Sequence, residues 1–514
     1  MKERISELWQ ASPLKVIIWL AILTRLVAAI FSKGFGMHDD HFLVIEPAQS
    51  WVDGYDHDNW LPWNQPEDMN RAVNFFYVGI VYFILAFFKT IGITNPQLVM
   101  FFMRLIHGTW SLVTVYYGYK ITEKLSDKKS AGTVGLLLAV LWFYPFVSVR
   151  NLVEIVCIPF LMYGLWLLVK FRDEKIPLKY LILSGFIMGV GFSVRYQTIL
   201  FSFGVGLTLL IYRQWKDAIV FGISYLMAIA VFQGGIDLVM WGRPFQAIQS
   251  YINYNTEHAL EYPVAPWYNY LLLIFGILIP PVSFFIFFGF LTTWKKHVLI
   301  FLPTLIFFAF HSYFPNKQER FILPVVPFII MLGIIGWNRL VNTSTFWQKR
   351  KKFIKYSWVF FWVLNLILLP IISTTYSKRA RTESMVYLSQ YHDIKRIMLD
   401  SHRNYSMVMC PRSYLGGQWV NEYCITADLP REKLPDYVLA DPNFQPRFIL
   451  FFEEKELDKR IAAVREMYPH IVFEKKFHPG LIDRVLHRLN PMNANQTITI
   501  YRNTDFYPRG IDEK

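Results

Sequence analysis

The chain has 514 residues, 54% of them hydrophobic and 18% aromatic, and a mean hydropathy of +0.29. Repeated apolar runs of spanning length exclude an ordinary soluble globular domain and indicate a polytopic membrane protein. The formal charge of +14 is concentrated in short loops between those runs, so it marks membrane orientation and not nucleic-acid binding.

The first apolar run, 14–32, is of full length with no small-residue cleavage site after it, and reads as a signal anchor. The loop 33–71 that follows carries eight acids and two bases. It opens on "KGFGMHDDHFLVIEPAQSW", where Asp39 and Asp40 stand between His38 and His41 just outside the first run. The next apolar run, 72–92, is ambiguous. Further spans are expected at 97–118, 131–149, 152–170, 179–194, 197–212, 218–241, 269–292, 297–311, 320–337 and 355–373.

Loop charge decides the ambiguous run. If 72–92 lies flat at the membrane surface, every later positive loop falls on the cytoplasmic side. Those loops hold Lys2 and Arg4, then Lys120, Lys124, Lys128 and Lys129, Arg172 and Lys175, Arg213 and Lys216, and Lys295 and Lys296. The strongest holds Arg339, Lys349, Arg350, Lys351, Lys352 and Lys355 with no acid between them. This predicts about eleven spans, with the amino terminus inside and the carboxyl terminus outside. Residues 1–374 form the transmembrane domain, in which 33–96 is the first outer loop with its acidic motif and surface helix.

Beyond the last span, 375–514 changes character. Strand-like runs "YSMVMC", "RFILFF", "IVFEKKF" and "TITIYR" and a helix near 454–468 predict a small α/β domain on the outer face. Cys410 and Cys424 in this domain lack zinc spacing and could form one disulfide in an oxidising compartment, while Cys157 lies inside a span. Two glycosylation-type triplets, at Asn404 and Asn495, face the same side. No Gly-rich phosphate loop and no internal repeat is visible.

With this topology the unusual polar stretches gather at the outer ends of spans: "HDDHF" (38–42), "RNLVE" (150–154), "RYQT" (195–198), "WGRPF" (241–245) and "NKQERF" (316–321). Singly, each is an ordinary interfacial anchor. Together, carboxylates and fixed arginines suit transfer of a group from a lipid phosphate, with arginines holding the leaving phosphate and a carboxylate taking a proton from the incoming hydroxyl. A transporter or flippase of a lipid-linked saccharide is the rival reading. Against it stand the absence of an inverted repeat and of charges deep in the spans.

The order and spacing of these stretches resemble the GT-C glycosyltransferases, and within them glycosyltransferase family 22, the polyprenyl- or dolichyl-phosphate-mannose-dependent α-mannosyltransferases of GPI-anchor and asparagine-glycan type. "HDDHFLVIEPA" resembles that family's acidic motif, "VRNLVE" its R-T-x-S-N-x-x-E stretch and "RYQT" an R-P-T element. "MWGRPFQAIQSYINYN" with "YPVAPWYNYL" resembles its Y-G and P-W-x-Y-L elements, and "NKQERFILPVVP" its H-K-E-E-R-F-x-x-P signature. The resemblance covers about 14–340, with Asn316 in place of the signature His, Gln318 in place of a Glu and Asp40 in place of the pair's second acid.

The resemblance implies a metal-free inverting transfer of a sugar, mannose, from a polyprenyl-phosphate donor to a hydroxyl of a glycan or glycolipid, with no cofactor. Another donor sugar or a protein acceptor is the alternative within the superfamily. It makes Asp39 the catalytic base and Asp40 an orienting group. Two His beside two Asp also compose a metal-ligand set, although spacing alone does not show that both imidazoles converge. Arg320 ranks above Lys317 as the donor-phosphate ligand, because a guanidinium matches phosphate in bidentate fashion; Glu319 would fix that cation. Arg150 and Arg195 are further phosphate ligands, with interfacial anchoring as the plain reading. Glu154 would pair with Arg150 at helical i,i+4 spacing. His41, Trp267 and Tyr268 are supporting or acceptor residues, the aromatics equally suited to an interfacial belt. A bacterial inner membrane with a periplasmic site is favoured, an ER membrane with a lumenal site the alternative.

Overall fold

The computed structural model describes residues 7, 9–65, 74–261, 264–427, 445–490 and 496–511. Lys2, Arg4, residues 66–71 of the first loop, Tyr262, Pro263 and Asn495 lie outside them. The chain divides into two compact units, one of residues 1–30, 61–78 and 103–374, the other of 31–60, 79–102 and 375–514.

The first unit is helical. Described residues place helix in every one of the expected spans, but only five helices are long and apolar enough to cross a membrane unaided: Pro13–Phe31, Pro96–Leu125, Trp215–Trp241, Glu319–Thr343 and Lys351–Ser373. Shorter apolar helices occupy Val153–Val169, Leu178–Val194, Thr198–Ile211 and Val298–Tyr313. At 1.5 Å per residue these fall short of a hydrocarbon core of about 30 Å, so length alone does not carry the count of eleven. The expected straight span 269–292 is two helices, Asn269–Ile277 and Val282–Thr292, bent by 120°. Pro280 and Pro281 at the break remove two backbone donors. The run at 72–92 is the helix Phe75–Thr90.

Close helix packing needs small residues. A Cβ on Gly289 would sit 2.0 Å from the Gly333 carbonyl oxygen, and one on Gly336 would sit 1.9 Å from the Gly289 carbonyl oxygen. Only glycine lets the helices Val282–Thr292 and Val326–Thr343 approach this closely. Beside that contact Phe285 stacks on Trp337 with centroids 4.2 Å apart and planes 3° from parallel, an arrangement worth about 0.5–1.5 kcal/mol beyond its buried area.

The spans do contain buried charge, contrary to expectation. Arg25, in the first helix, donates to the Leu138 carbonyl at 2.9 Å, to the Ala139 carbonyl and to Ser111 at 3.2 Å. Arg104 donates to the Ala29 carbonyl at 2.8 Å. Both satisfy carbonyls left over in the last turn of a helix, Lys128–Val140 and Pro13–Phe31 respectively. Asp237 does the reverse, accepting from the Ala247 N–H at 3.0 Å in the first turn of Gln246–Glu257. These charges cap helix ends inside the bundle.

The second unit contains a five-stranded sheet, β1 (Arg396–Asp400), β2 (Asn421–Ile425), β3 (Phe448–Phe452), β4 (Ile471–Phe477) and β5 (Ile498–Asn503), in the order β2-β1-β3-β5-β4. β1 pairs parallel with β2 and β3, and β5 pairs antiparallel with β3 and β4. Every residue of β3 is buried, as suits a strand covered on both faces. The helix expected near 454–468 is Leu457–Met467. One expectation fails. "YSMVMC" opens on a helical turn, Tyr405–Val408, of which only Val408 is buried, and pairs with no strand among the described residues. Cys410 and Cys424 are buried thiols with no disulfide between them.

The first outer loop is built into this unit. The Ser377 N–H donates to the Lys33 carbonyl at 3.1 Å, and Gly34 bridges Ser377. Gly34 has φ +73°, and a Cβ there would meet the Ser377 carbonyl oxygen at 1.9 Å, so the contact admits only glycine. Further along, Asp53 accepts from Lys89 Nζ and from Trp419 Nε1, each at 3.1 Å. One carboxylate thus joins three separate stretches of the chain.

Candidate active site

In the second unit the acidic pair lies on the short helix His38–Asp40, which runs on through a wider turn, His41–Ile45, into the helix Glu46–Val52. Asp40 is buried and Asp39 half-buried. Phe35 stacks on His41 at 4.7 Å, and Lys378, whose Nζ donates to the Gly36 carbonyl at 2.9 Å, lies over the Phe35 ring at 4.2 Å. Burial pushes the His38 imidazole down to about 4, with Lys378, Arg381 and His41 acting in the same direction and Asp39 against it. A neutral imidazole therefore sits beside the acidic pair at neutral pH.

His41 belongs to a hydrogen-bonded group beside the pair. Its Nε2 lies 3.1 Å from Glu46 Oε1 and 3.3 Å from Ser413 Oγ, and the Ser413 N–H donates to the same Glu46 oxygen at 2.8 Å. Arg412 Nε lies 3.6 Å from the other oxygen of Glu46. Burial disfavours the Glu46 carboxylate, but the His41 hydrogen bond, the Arg412 charge and the Ser413 amide outweigh it and hold the group below its usual range. His41 is thereby a fixing residue behind the acidic pair.

The first unit holds the cationic elements. Glu154 is completely buried, and its Oε1 lies 3.0 Å from Arg195 Nη1 and 3.5 Å from Arg320 Nε. Phe321 lies under both guanidiniums, 5.2 Å from that of Arg195 and 5.6 Å from that of Arg320. Arg150, Arg195, Lys317 and Arg320 are all buried. Two buried guanidiniums held by one carboxylate present fixed donors of a kind that suits an anion.

Two pairings differ from expectation. Residues 150–152 are not helical and the helix starts at Val153, so Arg150 and Glu154 have no i,i+4 relation; Arg150 instead lies over the Phe146 ring at 4.5 Å. Glu319 is exposed, and Arg320 Nε donates to Gln318 Oε1 at 2.9 Å. Gln318, the residue that departs from the resembled signature, supplies the acceptor. The turn is held by Tyr270, whose hydroxyl donates to the Gln318 carbonyl at 3.1 Å, and by Lys317 Nζ donating to the Phe314 carbonyl. Burial lowers the Lys317 ammonium from its usual value. Trp267 and Tyr268 are exposed, with centroids 5.8 Å apart and rings nearly perpendicular.

Some supporting residues went unread in the sequence. Tyr77 donates to Asn151 Oδ1 at 2.6 Å and meets His107 Nε2 at 3.0 Å, which fixes the "RNLVE" stretch. Gln197 of "RYQT" donates to the Tyr251 hydroxyl. Neither pair has a sequence signal beyond a polar residue near the end of an apolar run.

A helical membrane bundle followed by a small mixed sheet is the architecture of the GT-C membrane glycosyltransferases. The crystal structure of ArnT from Cupriavidus metallidurans bound to undecaprenyl phosphate superposes with a TM-score of 0.58 at 10% identity, covering 95% of this chain and 97% of that one. Its apo form gives 0.55 at 11% identity. The model of the Alg9-like mannosyltransferase family matches residues 16–416, and the chain belongs to that family. The match runs past the last span into the second unit, further than the motifs read from sequence. GPI mannosyltransferase 3 of Debaryomyces hansenii is 21% identical over 397 residues, covering 74% of this chain and 68% of that protein. The Candida albicans protein of the same name is 23% identical over 321 residues, covering 61% of this chain and 62% of its own length.

Proposed function

We propose that this membrane mannosyltransferase moves mannose from a polyprenyl-phosphate donor to a hydroxyl of a glycan or glycolipid on the non-cytoplasmic face, the periplasm in a bacterium, with inversion and without a metal. The observation that carries the reading is the buried cluster of Glu154, Arg195 and Arg320. A cluster whose guanidiniums are oriented by a carboxylate, a glutamine and an aromatic ring is preorganised for a phosphate ester. It stabilises the negative charge that develops on the leaving phosphate, which is the service a divalent cation supplies elsewhere.

Asp39 takes the proton of the incoming hydroxyl as the sugar–phosphate bond breaks, and Asp40, the more buried of the pair, orients it. Arg320 and Arg195 hold the phosphate, with Lys317 and Arg150 adding positive potential. The test is incubation of the purified protein with polyprenyl-phosphate mannose, glucose and arabinose. Consumption of the mannose donor alone is expected; use of another donor, or of none, overturns the assignment.

A further inference from the structure

The helix Leu481–Leu489 of the second unit is turned the wrong way round for a domain surrounded by water. Its apolar residues Leu481, Ile482, Val485, Leu486 and Leu489 recur at helical spacing and form one stripe. Leu481 is 69% exposed and Leu489 77%, with Val485 and Leu486 exposed between them. What the helix buries is Asp483. The helix Leu457–Met467 of the same unit does the opposite. It buries Ile461 and Val464 in one core with Met398, Ile449 and Phe451 of the sheet, and exposes Asp458, Lys459, Arg465 and Glu466.

The polar side of Leu481–Leu489 fixes this reversal. The Asp483 carboxylate accepts from the Arg379 N–H at 3.4 Å and also faces the amides of Lys378 and Gly480. His487, one turn further on, is half-buried and meets Gln496 at 3.5 Å. Gly480, just before the helix, packs on the Tyr376 carbonyl oxygen, which a Cβ would meet at 3.3 Å. The helix is thus seated on residues 376–379. Tyr376 lies three residues beyond Ser373, the end of a helix long and apolar enough to cross a membrane, a reach of at most about 11 Å. The Ser377 N–H holds the Lys33 carbonyl, two residues past Phe31, where the first such helix ends. Two spans therefore end close to this seat, which puts it at the level of the lipid headgroups.

We propose that Leu481–Leu489 lies in the bilayer surface at which those spans end, with its apolar stripe among the outermost acyl carbons, and docks the second unit onto lipid. Arg484 and Arg488 are exposed, and helical geometry sets Arg488 beside Leu481 on the flank of the stripe, where both cations reach lipid phosphates. Asp483, the one acid of the helix, is buried, so the charge offered to the headgroups is cationic. A protein partner would have to displace lipid from a surface already at headgroup depth. Lys378, whose amide faces Asp483, also donates through Nζ to the Gly36 carbonyl. The lipid contact thereby sets the height of the segment that carries Asp39 and Asp40.

The experiment places single spin labels through Val485→Cys, Leu489→Cys and Lys459→Cys in the full-length protein, held in nanodiscs of mixed phosphatidylcholine and phosphatidylglycerol. Collision is measured with oxygen, which concentrates in lipid, and with a water-soluble nickel chelate. The native cysteines are buried and take up little label. Labels at Val485 and Leu489 are expected to read a depth of about 5–10 Å in the headgroup–acyl boundary, and the label at Lys459 to read as water-exposed. Charge reversal by Arg484→Glu with Arg488→Glu is expected to move the Leu489 label towards water. Nickel collision at Val485 and Leu489 equal to that at Lys459 overturns the proposal. Shielding from both oxygen and nickel also overturns it, because protein then covers the stripe, and dipolar coupling between labels would identify that cover as a second copy of the chain. An unchanged depth in the charge-reversed variant overturns the contact between the arginines and lipid phosphate.

Discussion

Glu154 Oε1 lies 3.0 Å from Arg195 Nη1 and 3.5 Å from Arg320 Nε, so one buried carboxylate organises two cations from distant parts of the chain. Removing it takes this carboxylate away from two buried guanidiniums. Glu154→Gln should destabilise the protein by about 3–5 kcal/mol, the usual cost of breaking a buried pair from one side. The double variant with Arg195→Gln should recover part of that loss. Thermal unfolding of the four proteins of this cycle measures the coupling, and strictly additive losses would show that the pair is not coupled.

Arg320→Lys keeps the charge and removes the fork. Lysine cannot hold Gln318 and a phosphate in one plane, so donor use should weaken by roughly 1.5–3 kcal/mol. Gln318→Ala should cost less, because Glu154 still orients the arginine. Steady-state kinetics against the lipid donor checks both; an unchanged rate and affinity in Arg320→Lys assigns the turn to structure alone.

The acidic pair and the arginine-bearing turn were legible because polar residues stand out at the ends of apolar runs. Their partners were not. Glu154, Arg195 and Arg320 converge through helix packing that no local pattern encodes, and the i,i+4 rule favoured Arg150 only because residues 150–152 were read as helix. Arg25 and Asp237 were overlooked for a related reason. A single charge within a long apolar run hardly alters its hydropathy, yet here each caps a helix elsewhere in the bundle. In the sheet, β3 and β5 announced themselves by their β-branched and aromatic runs. β1 "RIMLD" and β2 "NEYCI" did not, since five mixed residues carry too little periodicity.

Two carboxyls of the second unit give opposite pH dependences. Glu46 is held below its usual value of 4.5, so its stabilisation is present above that pH and is lost as pH falls through the folded value. Glu422 is pushed up to about 7, chiefly by burial, which outweighs the Arg412 charge. The folded state then holds a proton that the unfolded chain releases near 4.5, and stability declines as pH rises from 4.5 towards 7. Glu422→Gln mimics the protonated form. Its melting temperature relative to wild type should rise between about pH 5 and pH 8, and a constant difference across that range contradicts the shift.

Membrane orientation is testable at exposed positions. Single cysteines at Tyr55 and Lys455 should react with an impermeant thiol reagent from outside, and one at Thr345 should not. Cys157, Cys410 and Cys424 are buried and should give little background. Labelling at Thr345 but not at Lys455 inverts the topology and moves the chemistry to the cytoplasm.

Asp39→Asn keeps the shape of the side chain while removing its charge and its affinity for a proton. If Asp39 is the base, the variant folds, still binds the lipid donor and loses turnover by roughly 10²–10⁴-fold, the usual span for general-base catalysis. Asp40→Asn should cost less turnover, because its proposed task is orientation, but more stability, because Asp40 is the buried member of the pair. Kinetics and melting curves on both variants therefore separate the two roles. Wild-type activity should survive EDTA, since arginines carry the leaving phosphate in this mechanism. Equal loss of turnover in both variants, together with EDTA sensitivity reversed by Mn²⁺ or Mg²⁺, would instead make the two aspartates metal ligands. Near-normal turnover in Asp39→Asn removes the carboxylate base altogether.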